Sequence, residues 1–170
     1  AGDLGWNGSS VLISGSYADD AMRATFTTAA AEVGIAADLV PRPTATPEQA
    51  AALEAELNAL VAAEPILFDK GSTTIGAVSV ATVQRVAGIA KRYAGVAIEV
   101  QGHTDSEGDP ARNLTLSEQR AAAVLDALVA RGVPTADLSA KGFGMTELIR
   151  DADGNELPEK SRRVVFGVTA

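Results

Sequence analysis

Cysteine is absent from this 170-residue chain, which excludes disulfides, thiolate metal sites and a lipid-modified cysteine within these residues. No apolar run reaches the roughly 18 residues that a membrane-spanning helix needs. Aromatic residues make up only 4% of the sequence, so alanine and aliphatic side chains must supply most of any core. Basic residues are outnumbered, 14 Lys and Arg against 22 Asp and Glu, and the acids exceed the bases in both the first 43 residues and the remainder. A net charge of −8 and a pI near 4.6 argue against nucleic acid or an anionic membrane surface as the main partner. What is present in quantity is apolar residue, 46% of the chain, which marks a globular protein and not a disordered one. The length suits one ordinary domain with a smaller piece attached. The sequence opens Ala-Gly-Asp without Met, and the expectation is that a signal peptide or membrane anchor was removed upstream.

The segment Pro41-Arg42-Pro43-Thr44-Ala45-Thr46-Pro47 resists both helix and central strand and predicts a boundary, giving domains 1–43 and 44–170. Before it, Val11–Gly15 reads as a strand, Ala18–Glu32 as a helix that Gly34 can stop, and Leu39-Val40 as the start of another strand. After it, Thr46, Pro47 and Gln49 have the pattern of a capped helix start, and Leu53, Leu57, Leu60 and Val61 recur on one helical face. Pro65 ends that helix. Ile66–Phe68 reads as a short buried strand, with Asp69-Lys70-Gly71-Ser72 turning away from it. A second helix follows from Val80 to Tyr93, with Gly95 as its stop, and then a strand over Val96–Gln101. Ser117 is expected to cap a third helix carrying Ala121, Val124, Leu125 and Leu128, which Gly132 closes. Strands over Leu138–Phe143 and Arg163–Val168 complete the pattern. The order predicts an α+β two-layer sandwich, a mixed β-sheet with helices packed on one face, plus a small N-terminal αβ unit.

Chemistry concentrates between Gly102 and Val124. Asp105 lies in a loop leaving a strand, and Arg120 is expected in the first turn of the Ser117-capped helix, where a cation opposes the helix dipole unless an anion answers it. A loop containing Gly108 and Pro110 lets the two meet at one rim. Their simplest relation is an ion pair. The sharper reading is a split site in which Asp105 holds an ammonium and Arg120 forks onto a carboxylate, as the free end of an amino acid would require. His103 is the only histidine. No Gly-x-Ser-x-Gly elbow accompanies it, and it reads as a hydrogen-bonded shaper of the loop rather than a catalyst or metal ligand. Asp105, Glu107 and Asp109 could be built into metal binding or paired-carboxylate hydrolysis, but read first as a solvated acidic loop. Asp151–Asn155 has its glycine in the wrong place for a calcium loop and reads as a turn. Asn113 can anchor the turn before Leu116, and Phe68 and Asp69 are expected to reach the same rim. Arg162 and Arg163 are either surface charges at a strand start or partners of a loop acid.

Ile66-Leu67-Phe68-Asp69 with Ser72, then Gly102-His103-Thr104-Asp105-Ser106-x-Gly108, Asn113-x-x-Leu116-Ser117-x-x-Arg120-Ala121, Gly142-Phe143-Gly144 and Arg162-Arg163-Val164 together resemble the OmpA-like peptidoglycan-binding domain, over roughly residues 47–170. The resemblance implies the sandwich fold already expected and a non-enzymatic role with no cofactor. It implies binding of the diaminopimelate in the peptide stem of peptidoglycan, with Asp105 and Arg120 gripping its free amino and carboxyl groups. Phe68, Asp69, Thr104, Asn113, Leu116 and Arg163 would complete the site. It also implies a cell-envelope location, with any membrane attachment made by a segment outside this chain. Two positions depart from the family pattern: Ser161 stands where asparagine is usual, and Glu147-Leu148-Ile149 follows where proline is frequent. Residues 1–43 look like the closing αβ unit of a BON domain, a combination similar to actinobacterial envelope proteins. Two other readings remain beside wall binding: an envelope scaffold or pore-associated protein that binds little wall, and a wall hydrolase using the acidic loop.

Overall fold

A computed structural model of the chain describes residues 2–6, 11–17, 20–32, 35–41, 45–69, 72–93 and 95–170. The expectations placed on Ala18, Gly34, residues 42–44, Lys70 and Gly71 lie outside the described residues. The chain divides into two compact units, Ala1–Thr44 and Ala45–Ala170.

In the first unit, β1 (Gly2–Trp6) pairs antiparallel with β2 (Val11–Tyr17), and β2 pairs parallel with β3 (Ala36–Pro41). Helix α1 (Asp20–Glu32) is the crossover that a parallel pair requires. Strand β1 was not foreseen, because two glycines in five residues weaken its strand signal. Pro41 belongs to β3 opposite Tyr17 and not to a linker; at the end of an edge strand its missing N–H costs little.

The second unit opens on a capped helix. Thr46 caps α2 (Pro47–Ala63) in a reciprocal box: its hydroxyl accepts from Gln49 N, and the Gln49 side chain accepts from Thr46 N. Leu53, Leu57, Leu60 and Val61 on one face of α2 are buried, together with Val83, Val86, Ala87 and Ala90 of α3 (Val80–Ala90). Gly95, at φ 83°, follows α3 in the left-handed conformation that glycine takes most readily. Strand β4 (Ala97–His103) is central, parallel to β5 (Leu138–Gly144) and antiparallel to β6 (Val164–Thr169), so the sheet is mixed. Ile98, Val100, Val164 and Phe166 join the helical residues in one core. Each large aliphatic or aromatic side chain so buried contributes about 1.5–3 kcal/mol. The free edge of β6 is closed by α2: the Asn58 carboxamide donates to Phe166 O at 2.8 Å and accepts from Phe166 N at 2.9 Å.

Two expectations fail here, and both bear on the site. Residues 66–68 do not form a strand beside β4, because β5 and β6 already occupy both of its edges. Instead the chain folds back on itself, with Phe68 bridging to Ile75 and Asp69 N donating to Thr74 O at 3.0 Å. Helix α4 (Pro110–Val129) begins well before Ser117. Asp109 is its N-cap, accepting from Arg112 N, and Pro110 is its first residue, a position where the missing N–H has no partner to lose. Pro110 therefore starts the helix, although the sequence reading placed it in a loop. Arg120 accordingly lies in the middle of α4, where the first-turn dipole argument has no force.

Candidate functional site

Ser117, relieved of capping, fixes α4 against the sheet. Its hydroxyl donates to Leu114 O at 2.7 Å and accepts from Gly144 N at 2.9 Å, and its side chain is fully buried. The sheet makes room with two glycines that face each other across β4 and β5, Gly102 and Gly142. A Cβ on Gly102 would sit 2.3 Å from Ser117 O, and one on Gly142 2.5 Å from Glu118 N. The close approach is what sets Arg120, one turn further along α4, beside the end of β4.

The guanidinium of Arg120 lies over the Phe68 ring, 5.0 Å from its centroid, and its Nε donates to Ser72 O at 3.2 Å. Among the described residues no carboxylate lies within 4.0 Å of it. Burial, and after it the Arg162 cation, lower its pKa, while Asp105 acts in the opposite sense. The group stays a cation all the same. It opens on a cleft of about 370 Å³ lined by the 66–69 turn, Gly102, His103, Glu159, Arg162 and Arg163.

Asp105 is almost completely buried at the end of β4. It is ion-paired, but with Arg162 and not with Arg120. Its Oδ1 accepts from Glu107 N at 3.3 Å. Arg162 reaches a second acid, with Nη2 2.7 Å from Glu159 Oε1. The hydrogen bond that Arg162 donates to Asp105 raises the Arg162 pKa first of all, with Glu159 adding to it. Arg163 turns the other way: it donates to Glu147 O at 3.1 Å and lies 3.8 Å from that residue's carboxylate.

Of the residues expected at the site, Phe68, Asp69, Arg120 and Arg163 line the cleft. Asp105 meets it through Arg162. Thr104, Asn113 and Leu116 do not line it. Thr104 N donates to Gly144 O, holding the loop to β5. Asn113 braces the same loop, its Nδ2 donating to Glu107 O at 2.8 Å. Leu116 lies half-buried one turn before Arg120. Asp109 is engaged in capping and Glu107 is exposed. His103 is no hydrogen-bonded shaper: neither ring nitrogen has a hydrogen-bond partner among the described residues, Nδ1 lying 3.9 Å from a Glu147 carboxylate oxygen, and the ring instead stacks on Phe143 at 5.0 Å. Burial, with the nearby Arg163 cation, pushes its pKa down to about 4.

Three residues at or beside the cleft were not singled out from sequence: Glu159, Glu156 and Ser106. Glu156 takes hydrogen bonds from both Ser106 N, at 3.0 Å, and Ser106 Oγ, tying the 151–156 turn to the acidic loop. Nothing in local spacing signals a contact between residues fifty apart. For Arg162 the signal existed, since a doublet before a strand sends one arginine to each side. Asp151–Asn155 is the turn expected, with Asp151 Oδ1 accepting from Asp153 N and Asn155 N. Ser161 is buried, and its hydroxyl spans both backbone groups of Ile149, accepting from its N at 3.0 Å and donating to its O at 3.5 Å.

A sequence model of the OmpA family matches residues 67–162. The chain belongs to the OmpA family. The matched span contains the cleft turn, the acidic loop, α4 and Arg162. This OmpA-family chain is 37% identical over 100 residues to the peptidoglycan-associated lipoprotein of Agrobacterium fabrum, an alignment covering 59% of this chain and 56% of that protein. It is also similar to the crystal structure of the peptidoglycan-associated lipoprotein from Burkholderia pseudomallei, at 28% identity and a TM-score of 0.53, over 61% of this chain and 88% of the other. The periplasmic domain of Helicobacter pylori MotB gives 28% identity and a TM-score of 0.55, over 62% and 70%. The chain spans little more than half the length of the curated peptidoglycan-associated lipoproteins it matches first. The mixed α+β fold of its second unit is thus the OmpA-like one.

Proposed function

We propose that the chain binds peptidoglycan without covalent chemistry, tethering an envelope protein to the cell wall, and that it does so through the free ends of diaminopimelate in the peptide stem. The observation that carries this reading is Arg120, a half-buried guanidinium stacked on Phe68 with no carboxylate of its own among the described residues. A cation held ready in a cleft takes an anion, and the planar fork of arginine suits a carboxylate. Asp105, at the same end of β4, is the acceptor for the ligand ammonium. The similarity to peptidoglycan-associated lipoproteins supports the polymer and the envelope location; the stem and its diaminopimelate rest on the charge pattern. The partial BON-like reading of residues 1–43 rests on the resemblance of their strand-helix-strand sequence, and the actinobacterial one on the joining of such a unit to an OmpA-like domain.

Two charge-assisted contacts contribute on the order of 1.5–3 kcal/mol each, against at least about 4 kcal/mol for lost translational and rotational freedom. A single stem is bound weakly, and retention comes from the polymer, whose repeated stems raise the effective concentration after each dissociation. No turnover is required. The test is a calorimetric titration with soluble stem peptides whose diaminopimelate carboxylate is either free or amidated. The free form binds at least about tenfold more tightly, the equivalent of one charge-assisted contact; equal affinity for both would remove Arg120 as the carboxylate receptor.

A further inference from the structure

The ammonium receptor of the proposed function is already engaged. Asp105 gives Oδ1 to Glu107 N–H and Oδ2 to the guanidinium of Arg162. Three guanidiniums line the cleft, those of Arg120, Arg162 and Arg163, against the carboxylates of Asp69 and Glu159. A ligand ammonium arriving at Asp105 therefore meets a cation in its place. Arg162 is unlike its neighbours in having somewhere else to go. Its other amino group is bonded to Glu159, three residues earlier in the chain and on a side chain that is 92% exposed, while the Arg162 side chain is itself 41% exposed. The Asp105 carboxylate is the buried member of the trio, at 12%.

We propose that Arg162 is a specificity-determining residue that occupies the ammonium position of the free protein, yields Asp105 to a ligand ammonium, and is retained meanwhile by Glu159. This rests on the wall-binding reading and goes beyond it. Displacement exchanges one cation for another at the buried carboxylate, which is never left unpaired, and the departing guanidinium keeps its exposed pair with Glu159. A ligand lacking an ammonium leaves Arg162 where it is and gains nothing from Asp105. One with both charges exchanges the guanidinium for its own cation. Selection then depends on the difference between two cations at one carboxylate.

The two acids flanking Arg162 give opposite expectations for two variants. Calorimetric titrations use a soluble stem peptide with free diaminopimelate ends and its counterpart acetylated on that amine. Arg162→Gln removes the competitor and tightens binding of the free-amine peptide severalfold relative to the acetylated peptide, a ratio that cancels any change in carboxylate binding common to both. Glu159→Gln, at an exposed position, pins Arg162 to Asp105 and weakens the free-amine peptide severalfold relative to the acetylated one. If the wild type binds, and Arg162→Gln leaves that ratio equal or lower, or Glu159→Gln leaves it unaltered, Arg162 is a structural clamp and the proposal fails alone. If neither protein binds either peptide and insoluble peptidoglycan does not retain the wild type, the wall-binding reading fails and this proposal with it; retention on the wall with no peptide bound by either protein overturns this proposal alone.

Discussion

At the scale of single residues, the site is a set of charges whose partners decide their use. Asp105 and Arg120, the pair that sequence spacing brought together, are near neighbours in effect but not bonded to each other. Arg162 stands between their roles. His103, adjacent to the acidic loop, shows what burial does to a polar group with no hydrogen bond among the described residues: the imidazole is kept neutral, stacked on Phe143, with its pKa lowered to about 4 from an ordinary 6.5 by burial and the Arg163 cation. Because the folded state binds this proton less readily than the unfolded state, the neutral ring is no handicap above pH 6.5, and stability is lost as pH falls from there towards 4. Urea denaturation at pH 7, 5.5 and 4 should show a progressive fall in the wild type. In His103→Gln, which cannot be protonated, the fall over that interval should be shallower; parallel curves for the two proteins would place the acid sensitivity elsewhere.

At the scale of elements, the decisive contact is α4 across β4 and β5, and it depends on two positions without side chains. Gly142→Ala would bring a Cβ to 2.5 Å from backbone and side-chain atoms of Glu118 and from Ser117 Oγ. Overpacking of this kind costs about 1–3 kcal/mol, to be read as a lowered denaturation midpoint. The displaced helix would carry Arg120 off the Phe68 ring, so stem binding should weaken beyond what the stability loss explains. A variant of unchanged stability would mean that α4 has slack at this crossing. The same element marks where sequence reading ends. Helix α2 was legible from Thr46 to Ala63 because its cap, its proline and its apolar face all agree. The start of α4 was misplaced because Asp109 and Pro110 carry start signals that also suit a loop, and Ser117 offered a second plausible cap. The 66–68 segment has strand composition, but sheet edges are allotted by topology, which no local window contains. Arg120, Asp105 and Phe68 were found by residue type and spacing. The Asp105–Arg162 pair and the Ser106–Glu156 tether join residues more than forty positions apart, and only the fold brings them together.

At the scale of the whole molecule, the second unit is an OmpA-family domain with a cleft at the end of its central strand, where a turn, a loop, a helix and a strand start each supply a charge. Weak contacts of this kind make a useful tether only on a polymer, so single stems report which charged groups are read and the polymer reports whether the wall is held. The most direct measurement is co-sedimentation with insoluble diaminopimelate-type peptidoglycan, comparing the wild-type chain with Asp105→Ala and Arg120→Ala, each checked for folding by circular dichroism. The wild type should sediment with the wall, and both folded variants should stay in solution. Retention of both variants at the wild-type level would contradict the split charged site, and a wild type that remains soluble would contradict wall binding by this domain.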